Sequence, residues 1–310
     1  MKRFKNILYI LDGTTLGQES SADKVATLAR LNGARISTMI ADETTLIDDL
    51  SLKISGRYTE IKQAIVRQNT ESLERFLSHE RWNDIDIEPK YSEANDFISI
   101  IQKVLRDKHD LVIKEETLDR GIDQLTMRLV RKCPCPVWVM KRGSADFRRI
   151  LAAIDVGAEN PEAIALNQKI IELTHSLAQR ENGEAHYLHA WRLEHEVMLR
   201  SPRFRVSSEE IDEMKKQIKG ERSEQLQYLL DHNHIPHTGS NTHLWEGGSQ
   251  DVIKQAIVDL KIDVVVMGSV ARSGIPGLLI GNKAEKTLNT INCTVLTVKP
   301  DGFVSPVTLS

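Results

Sequence analysis

The chain has 310 residues, 41 basic and 44 acidic side chains, a net charge of −3 and 40% hydrophobic content. That length suits two ordinary domains, each with its own core, and the mixed charge excludes the one-sided basic face that nucleic-acid binding needs. Three cysteines cannot build a disulfide framework, which points to a reducing compartment.

The opening Met1-Lys2-Arg3-Phe4-Lys5 leads into an apolar run too short for a signal peptide, and no run approaches the length of a membrane span. The expectation is a cytoplasmic protein. In chain order, short β-branched runs alternate with longer amphipathic stretches, the pattern of a parallel sheet covered by helices. The first half offers strands at residues 6–11, 35–40, 86–91, 111–114 and 137–141. A charged segment at 43–80 separates its second and third strands. Gly143-Ser144-Ala145-Asp146 reads as a short linker. The second half offers strands at 149–154, 185–190, 242–245, 263–267 and 294–299, with a charged segment at 194–231 in the matching place. Within it, Ser207-Ser208-Glu209-Glu210-Ile211 reads as a helix start, with serine as cap and acids in the first turn.

The halves repeat each other. Phe4-Lys5-Asn6-Ile7-Leu8-Tyr9-Ile10-Leu11-Asp12 returns as Phe147-Arg148-Arg149-Ile150-Leu151-Ala152-Ala153-Ile154-Asp155, and the run from Cys135 to Lys141 returns from Cys293 to Lys299. Two domains follow, at 1–142 and 147–310. Only the second has glycines after its fourth strand: Gly268, Gly274 and Gly277, then Gly281-Asn282 opening a helix at 283–290. In a doubly wound sheet, ligands bind beyond the carboxyl ends of strands where strand order reverses. Asp155, ending the first strand of the second half, and Gly268, following the fourth, are the residues that flank that place. Glycines let the backbone approach anionic oxygens, and free N–H groups at a helix start favour phosphate. Neither the Walker A nor the Rossmann glycine fingerprint is present, and glycines after a strand also mark plain turns.

The stretch Gly268-Ser269-Val270-Ala271-Arg272-Ser273-Gly274-Ile275-Pro276-Gly277-Leu278-Leu279-Ile280-Gly281-Asn282 resembles the nucleotide loop of the universal stress protein family. The strand ends at Asp12 and Asp155 and the runs beginning at Cys135 and Cys293 are also similar to that family, so the resemblance covers essentially the whole chain. Lys132-Cys133-Pro134-Cys135-Pro136-Val137-Trp138 and Gly281-Asn282-Lys283-Ala284-Glu285 resemble the tandem E-type bacterial members. The resemblance implies an α/β, Rossmann-like fold of two tandem doubly wound parallel five-stranded sheets, order 3-2-1-4-5, packed as a pseudo-dimer through their last strands. It implies ATP or AMP as ligand, Mg²⁺ as an accompanying ion and no structural metal. The site it implies comprises Asp155, Ala190, Met267, Gly268, Val270, Arg272, Gly274, Gly281 and Asn282. Two residues depart from the pattern. Ala271 stands where the motif has its second glycine, and Asn282 replaces a hydroxyl residue. In the first half, Glu115, Glu116 and Asp119 fall where the glycines would be and would repel phosphate.

Other constellations carry less. Asp12-Gly13-Thr14-Thr15 lacks a counterpart hydroxyl pair in the second copy, which argues against an aspartyl-phosphate site. Cys133-Pro134-Cys135 does not have zinc spacing and reads as buried strand-edge thiols. His232, His234 and His237 read as a solvated loop, while His186 and His189 alternate to opposite strand faces. No catalytic engine emerges. The reading is therefore a stress-response regulatory protein that binds an adenine nucleotide in its second domain, with at most slow ATP hydrolysis. The alternative is a scaffold that binds an apolar or protein ligand, for which Leu278-Leu279-Ile280 would be suited. Expected partners are the nucleotide, protein partners and the other half of the chain. A homodimer is compatible, nucleic acid and a membrane span are not.

Overall fold

A computed structural model describes residues 4–11, 16, 20–41, 58–89, 96–116, 122–142, 146–158, 160–269, 288 and 291–309. The chain forms two compact units, residues Met1–Ala145 with Ser305–Ser310, and Asp146–Val304. In the first unit the elements run β1 (Asn6–Leu11), α1 (Ser20–Asn32), β2 (Arg35–Ile40), α2 (Tyr58–Leu77), a 3₁₀ turn (Glu80–Trp82), β3 (Ile87–Pro89), α3 (Phe97–Asp107), β4 (Leu111–Glu116), α4 (Gln124–Lys132) and β5 (Val137–Lys141). In the second they run β6 (Arg149–Ile154), α5 (Pro161–Glu181), β7 (Glu184–Trp191), α6 (Glu196–Leu199), α7 (Ser208–His232), β8 (Thr242–Glu246), α8 (Ser249–Asp259), β9 (Val264–Gly268) and β10 (Thr294–Val298).

Each unit holds a parallel five-stranded sheet. The first is ordered β3-β2-β1-β4-β5 and the second β8-β7-β6-β9-β10, the same 3-2-1-4-5 order in each unit's own strands. This is the α/β fold that the alternating runs predict. The middle strands explain why: β1 is buried along its whole length and β9 at every position but Gly268, as strands with helices on both faces must be.

The duplication extends to hydrogen bonds. Asp110, just before β4, accepts from the backbone N–H groups of Lys5 (2.6 Å) and Asn6 (3.0 Å). Asp263, just before β9, accepts from Arg148 and Arg149, both at 2.9 Å. Each aspartate thus sets the register of its unit's first strand against the fourth, by charge-assisted bonds. The residue after each first helix repeats this economy. Gly33 adopts φ +57° and Asn182 φ +51°, both left-handed caps that end a helix.

Ser207 caps α7, accepting from the Glu210 N–H at 3.1 Å while the Glu210 carboxylate accepts from the Ser207 N–H at 2.8 Å. This is the reciprocal capping that the Ser-x-x-Glu spacing predicts. The closing residues pack on the first unit. The Ser305 hydroxyl donates to the Lys132 carbonyl at 2.7 Å, and Gln102 Nε2 donates to the Thr308 carbonyl at 3.0 Å. No described helix is long and apolar enough to cross a membrane.

Candidate functional site

The candidate site lies at the carboxyl ends of β6, β7 and β9 in the second unit. Strand order there turns on the β6–β9 pair, since β7 and β8 lie to one side and β10 to the other. Asp155 follows β6 directly, and its backbone is fixed from α5. Asn167, buried, accepts from the Asp155 N–H at 3.1 Å and donates to the Asp155 carbonyl at 2.8 Å. The ring of buried His189 shares a hydrogen bond of 3.1 Å with the Ile154 carbonyl. Ala190 stands half-buried near the end of β7, and Met267 and Gly268 end β9, Met267 facing Ala153 in register. The structure therefore brings Asp155, Ala190, Met267 and Gly268 to one edge of one sheet. Val270, Arg272, Gly274, Gly281 and Asn282, with Ala271 and the helix expected at 283–290 apart from Leu288, lie outside the described residues.

Two features here were not legible in the sequence. A side chain at Gly268 would come within 2.9 Å of Leu166 Cδ2 on α5, so this glycine allows close packing of helix on sheet. A side chain at Gly157, in the turn after β6, would sit 3.0 to 3.2 Å from the Arg222 guanidinium of α7. Arg222 also donates to Gln225 Oε1 at 2.7 Å. The long charged segment thus lays a cation against the turn that carries Asp155. Sixty-five residues separate the two in sequence, so no local pattern announces the contact.

The first unit treats the same place differently. By register, Tyr9 faces Ile113 as Ala152 faces Val266, so Lys114 stands where the second unit has Met267, Glu115 where it has Gly268, and Tyr9 where it has Ala152. Tyr9 is fully buried, packs against Phe76 and Trp82 with ring centroids 6.3 and 6.4 Å away, and donates to Glu115 Oε1 at 2.5 Å. On the other face, the Lys114 ammonium reaches Glu116 at 3.0 Å and Asp123 at 2.8 Å, and the Thr126 hydroxyl donates to Glu116. Burial pushes Glu116 up to about 7 despite Lys114. Asp123 is held below the usual carboxylate range: Lys114 and the Thr126 N–H outweigh its burial, the largest single effect and of opposite sign. Glu115 and Glu116 are thus not loop residues, as the sequence reading has them. They extend β4 by two residues, paired with Met140 and Lys141, because a tyrosine, a lysine and a threonine satisfy them inside the fold. Asp12, Thr14, Thr15 and Asp119 lie outside the described residues.

Among the described residues no group of three metal-ligating side chains is gathered. The histidines instead form a pair. His186 Nδ1 lies 3.1 Å from His243 Nε2 across β7 and β8, with Trp245 edge-on to His243 at 5.8 Å. Burial lowers both from 6.5, His243 to about 4 with a further push from His186, while Glu184 and Arg149 act on His186 in opposite senses. At neutral pH both rings are uncharged and one donates to the other. A histidine depressed in the folded state contributes stability that is complete above its unfolded value and is lost as pH falls toward its folded value. Thermal melts from pH 7 to pH 5 should therefore show wild type losing more than His243→Gln, by roughly 1 kcal/mol. Equal slopes would mean that the pair does not titrate in this range. His109, also lowered to about 4 by burial, and Glu116 are common to both proteins and cancel.

Two parallel α/β sheets, each reversing strand order beside its first strand, define a doubly wound fold. Residues 146–299 match the model of the universal stress protein family, so the second unit belongs to that family. Over its full length the chain is similar to Universal stress protein E of Escherichia coli (strain K12), 27% identical across 100% of this chain and 98% of that protein. It is 26% identical to Universal stress protein E of Photorhabdus laumondii, across 99% of this chain and 98% of that one. The fold is also similar to a solved structure of a functionally unknown protein, PA1789, from Pseudomonas aeruginosa PAO1, with TM-score 0.70, 20% identity and coverage of 97% of this chain and 95% of that one. A universal stress protein from Archaeoglobus fulgidus shares the fold at TM-score 0.51 and 13% identity, across 94% of this chain and 98% of that one.

Proposed function

We propose that this chain is a stress-response regulatory protein that binds an adenine nucleotide, ATP or AMP, in its second unit, and that the first unit binds none. One observation carries the reading. At equivalent register positions beside the strand-order reversal, the second unit has Ala152, Met267 and Gly268, where the first has Tyr9, Lys114 and Glu115. At these positions the second unit carries one alanine, one flexible thioether and one glycine. The first carries an aromatic ring that donates to a buried carboxylate, and an ammonium paired with Glu116 and Asp123. A polyanion would meet buried carboxylates there and be repelled.

In this reading Asp155 accepts from a ribose hydroxyl or base amino group, Ala190 and Met267 contact the base, and the loop at 268–282 cradles the phosphates, with Mg²⁺ brought by the phosphates when ATP is bound. The protein acts as a binder, with at most slow hydrolysis. The two halves pair through their last strands, for which the matching runs from Cys135 and Cys293 are the support. Isothermal titration of the full chain with ATP and AMP tests the proposal, with Asp155→Ala and Gly281→Trp as controls. Saturable heat that falls at least tenfold in affinity in both variants, about 1.4 kcal/mol or more, supports it. Heat unchanged in both variants rejects this site. No heat from native protein rejects nucleotide binding and favours a scaffold.

A further inference from the structure

Cys133 and Cys135 bracket Pro134 at the joint between α4 and β5. Their sulfurs lie 3.5 Å apart, near enough for one thiol to hydrogen-bond the other. A disulfide needs its sulfurs at about 2.05 Å, so the bond would require an approach of roughly 1.5 Å. The two positions differ in access. Cys133 is fully buried, whereas Cys135 retains 8% exposure. The joint is held at defined points: the Cys133 N–H donates to the Leu129 carbonyl at 2.8 Å, and the Ser305 hydroxyl holds the adjoining Lys132 carbonyl. The third cysteine, Cys293, is buried in the other unit.

We propose that Cys133 and Cys135 are a peroxide-responsive dithiol pair, which closes to an intramolecular disulfide when the protein meets a peroxide oxidant. Cys135, the more accessible, reacts first. Its sulfur attacks one peroxide oxygen, an S–O bond forms, the O–O bond breaks, and the departing hydroxide leaves as water with the thiol proton. The Cys133 sulfur then attacks the sulfur of that sulfenic acid. The S–S bond forms, the S–O bond breaks, and the second hydroxide leaves as water with the Cys133 proton. Two thiols are oxidised by two electrons in total and one peroxide is reduced to two waters. Proximity makes the second step intramolecular, so sulfenic acid does not accumulate. The hydrogen bond to Cys133, and then burial, keep Cys135 protonated at neutral pH. The pair therefore stays reduced at rest and closes only under sustained oxidant, faster as pH rises.

The full chain is exposed to hydrogen peroxide, quenched with catalase, denatured, alkylated with N-ethylmaleimide and digested with trypsin. The peptide Cys133–Lys141 contains both cysteines of the pair and excludes Cys293. The expected result is that this peptide loses two hydrogens and takes no alkyl groups, reverts with dithiothreitol, and forms at least tenfold more disulfide than any species containing Cys293. In Cys133→Ser, Cys135 should instead accumulate as a sulfenic acid that dimedone traps. Cys135→Ser, with the opposite sulfur retained, should trap far less, which keeps the order of attack testable if the first variant folds poorly. A peptide alkylated at both cysteines after oxidation of folded protein, a disulfide to Cys293, or direct passage of either cysteine to sulfinic acid would overturn the proposal.

Discussion

Lys114→Met should destabilise the first unit by about 3 kcal/mol, because it leaves a buried carboxylate, Glu116, and a half-buried one, Asp123, without the cation between them. The ammonium is 2% exposed and reaches both groups. In a unit of this size the loss corresponds to a fall of roughly 10 °C in its melting temperature. The loss should shrink on acidification. Glu116, pushed up to about 7 by burial, has a folded value above its unfolded one, so protonation favours the folded state and relieves the unpaired charge as pH falls through that window. Combining Lys114→Met with Glu116→Gln and Asp123→Asn should recover much of the loss. The Asn at 123 can still accept from the Thr126 N–H that Asp123 caps at 2.6 Å. Differential scanning calorimetry of the single and triple variants checks both statements. A single variant as stable as wild type, or a triple variant weaker than the single, would show that the buried charges are not coupled as their distances imply.

Gly183→Ala should have a similarly large effect on the second unit, about 2–4 kcal/mol. A side chain there would lie 2.9 Å from the Arg148 carbonyl carbon and 3.0 Å from its Cα, backbone atoms that cannot rotate away. The Arg148 carbonyl is also the acceptor for the Glu184 N–H at 2.6 Å, the bond that starts the β6–β7 ladder. Gly33→Ala in the first unit is the comparison without a clash; by register Gly33 corresponds to Asn182, and Gly183 to Ala34. Nothing lies within 4 Å of its added carbon, and only its φ of +57° resists substitution, so it should cost about 1 kcal/mol. Chemical denaturation of both variants, followed by tryptophan fluorescence, distinguishes the cases. Equal costs would mean that the strand start in the second unit yields more than its contacts suggest.

The duplication was the most legible feature of this chain, because Phe4 to Asp12 and Phe147 to Asp155 align without a gap and share Phe, Ile, Leu and Asp at matching places. Every strand was readable from its apolar run: β1, β2, β5 and β6 have the expected ends, the others shift by one or two residues, and in β3 residues 90 and 91 lie outside the described ones. The Ser207 cap was readable because capping chemistry acts over three residues. What escaped reading was chemistry between distant or disguised partners. Glu115 and Glu116 read as charges beyond the strand at 111–114 until Tyr9, Lys114 and Thr126 are seen to pair with them inside the fold. His243 reads as a residue of the strand at 242–245, but only strand pairing shows that it sits beside His186, 57 residues earlier. Arg222 over Gly157 depends on where a 25-residue helix lands. Spacing along the chain does not encode that.

Hydrogen exchange of the full chain with and without saturating ATP tests the asymmetry between the units most directly, because both are reported at once. Slowed exchange is expected in the turn after β6 and across residues 268–282, with residues 7–11 and 111–126 unchanged. Protection of the first unit's β1 and β4 ends, or none in the second unit at nucleotide concentrations that saturate other binders, would contradict the assignment of the ligand to one half.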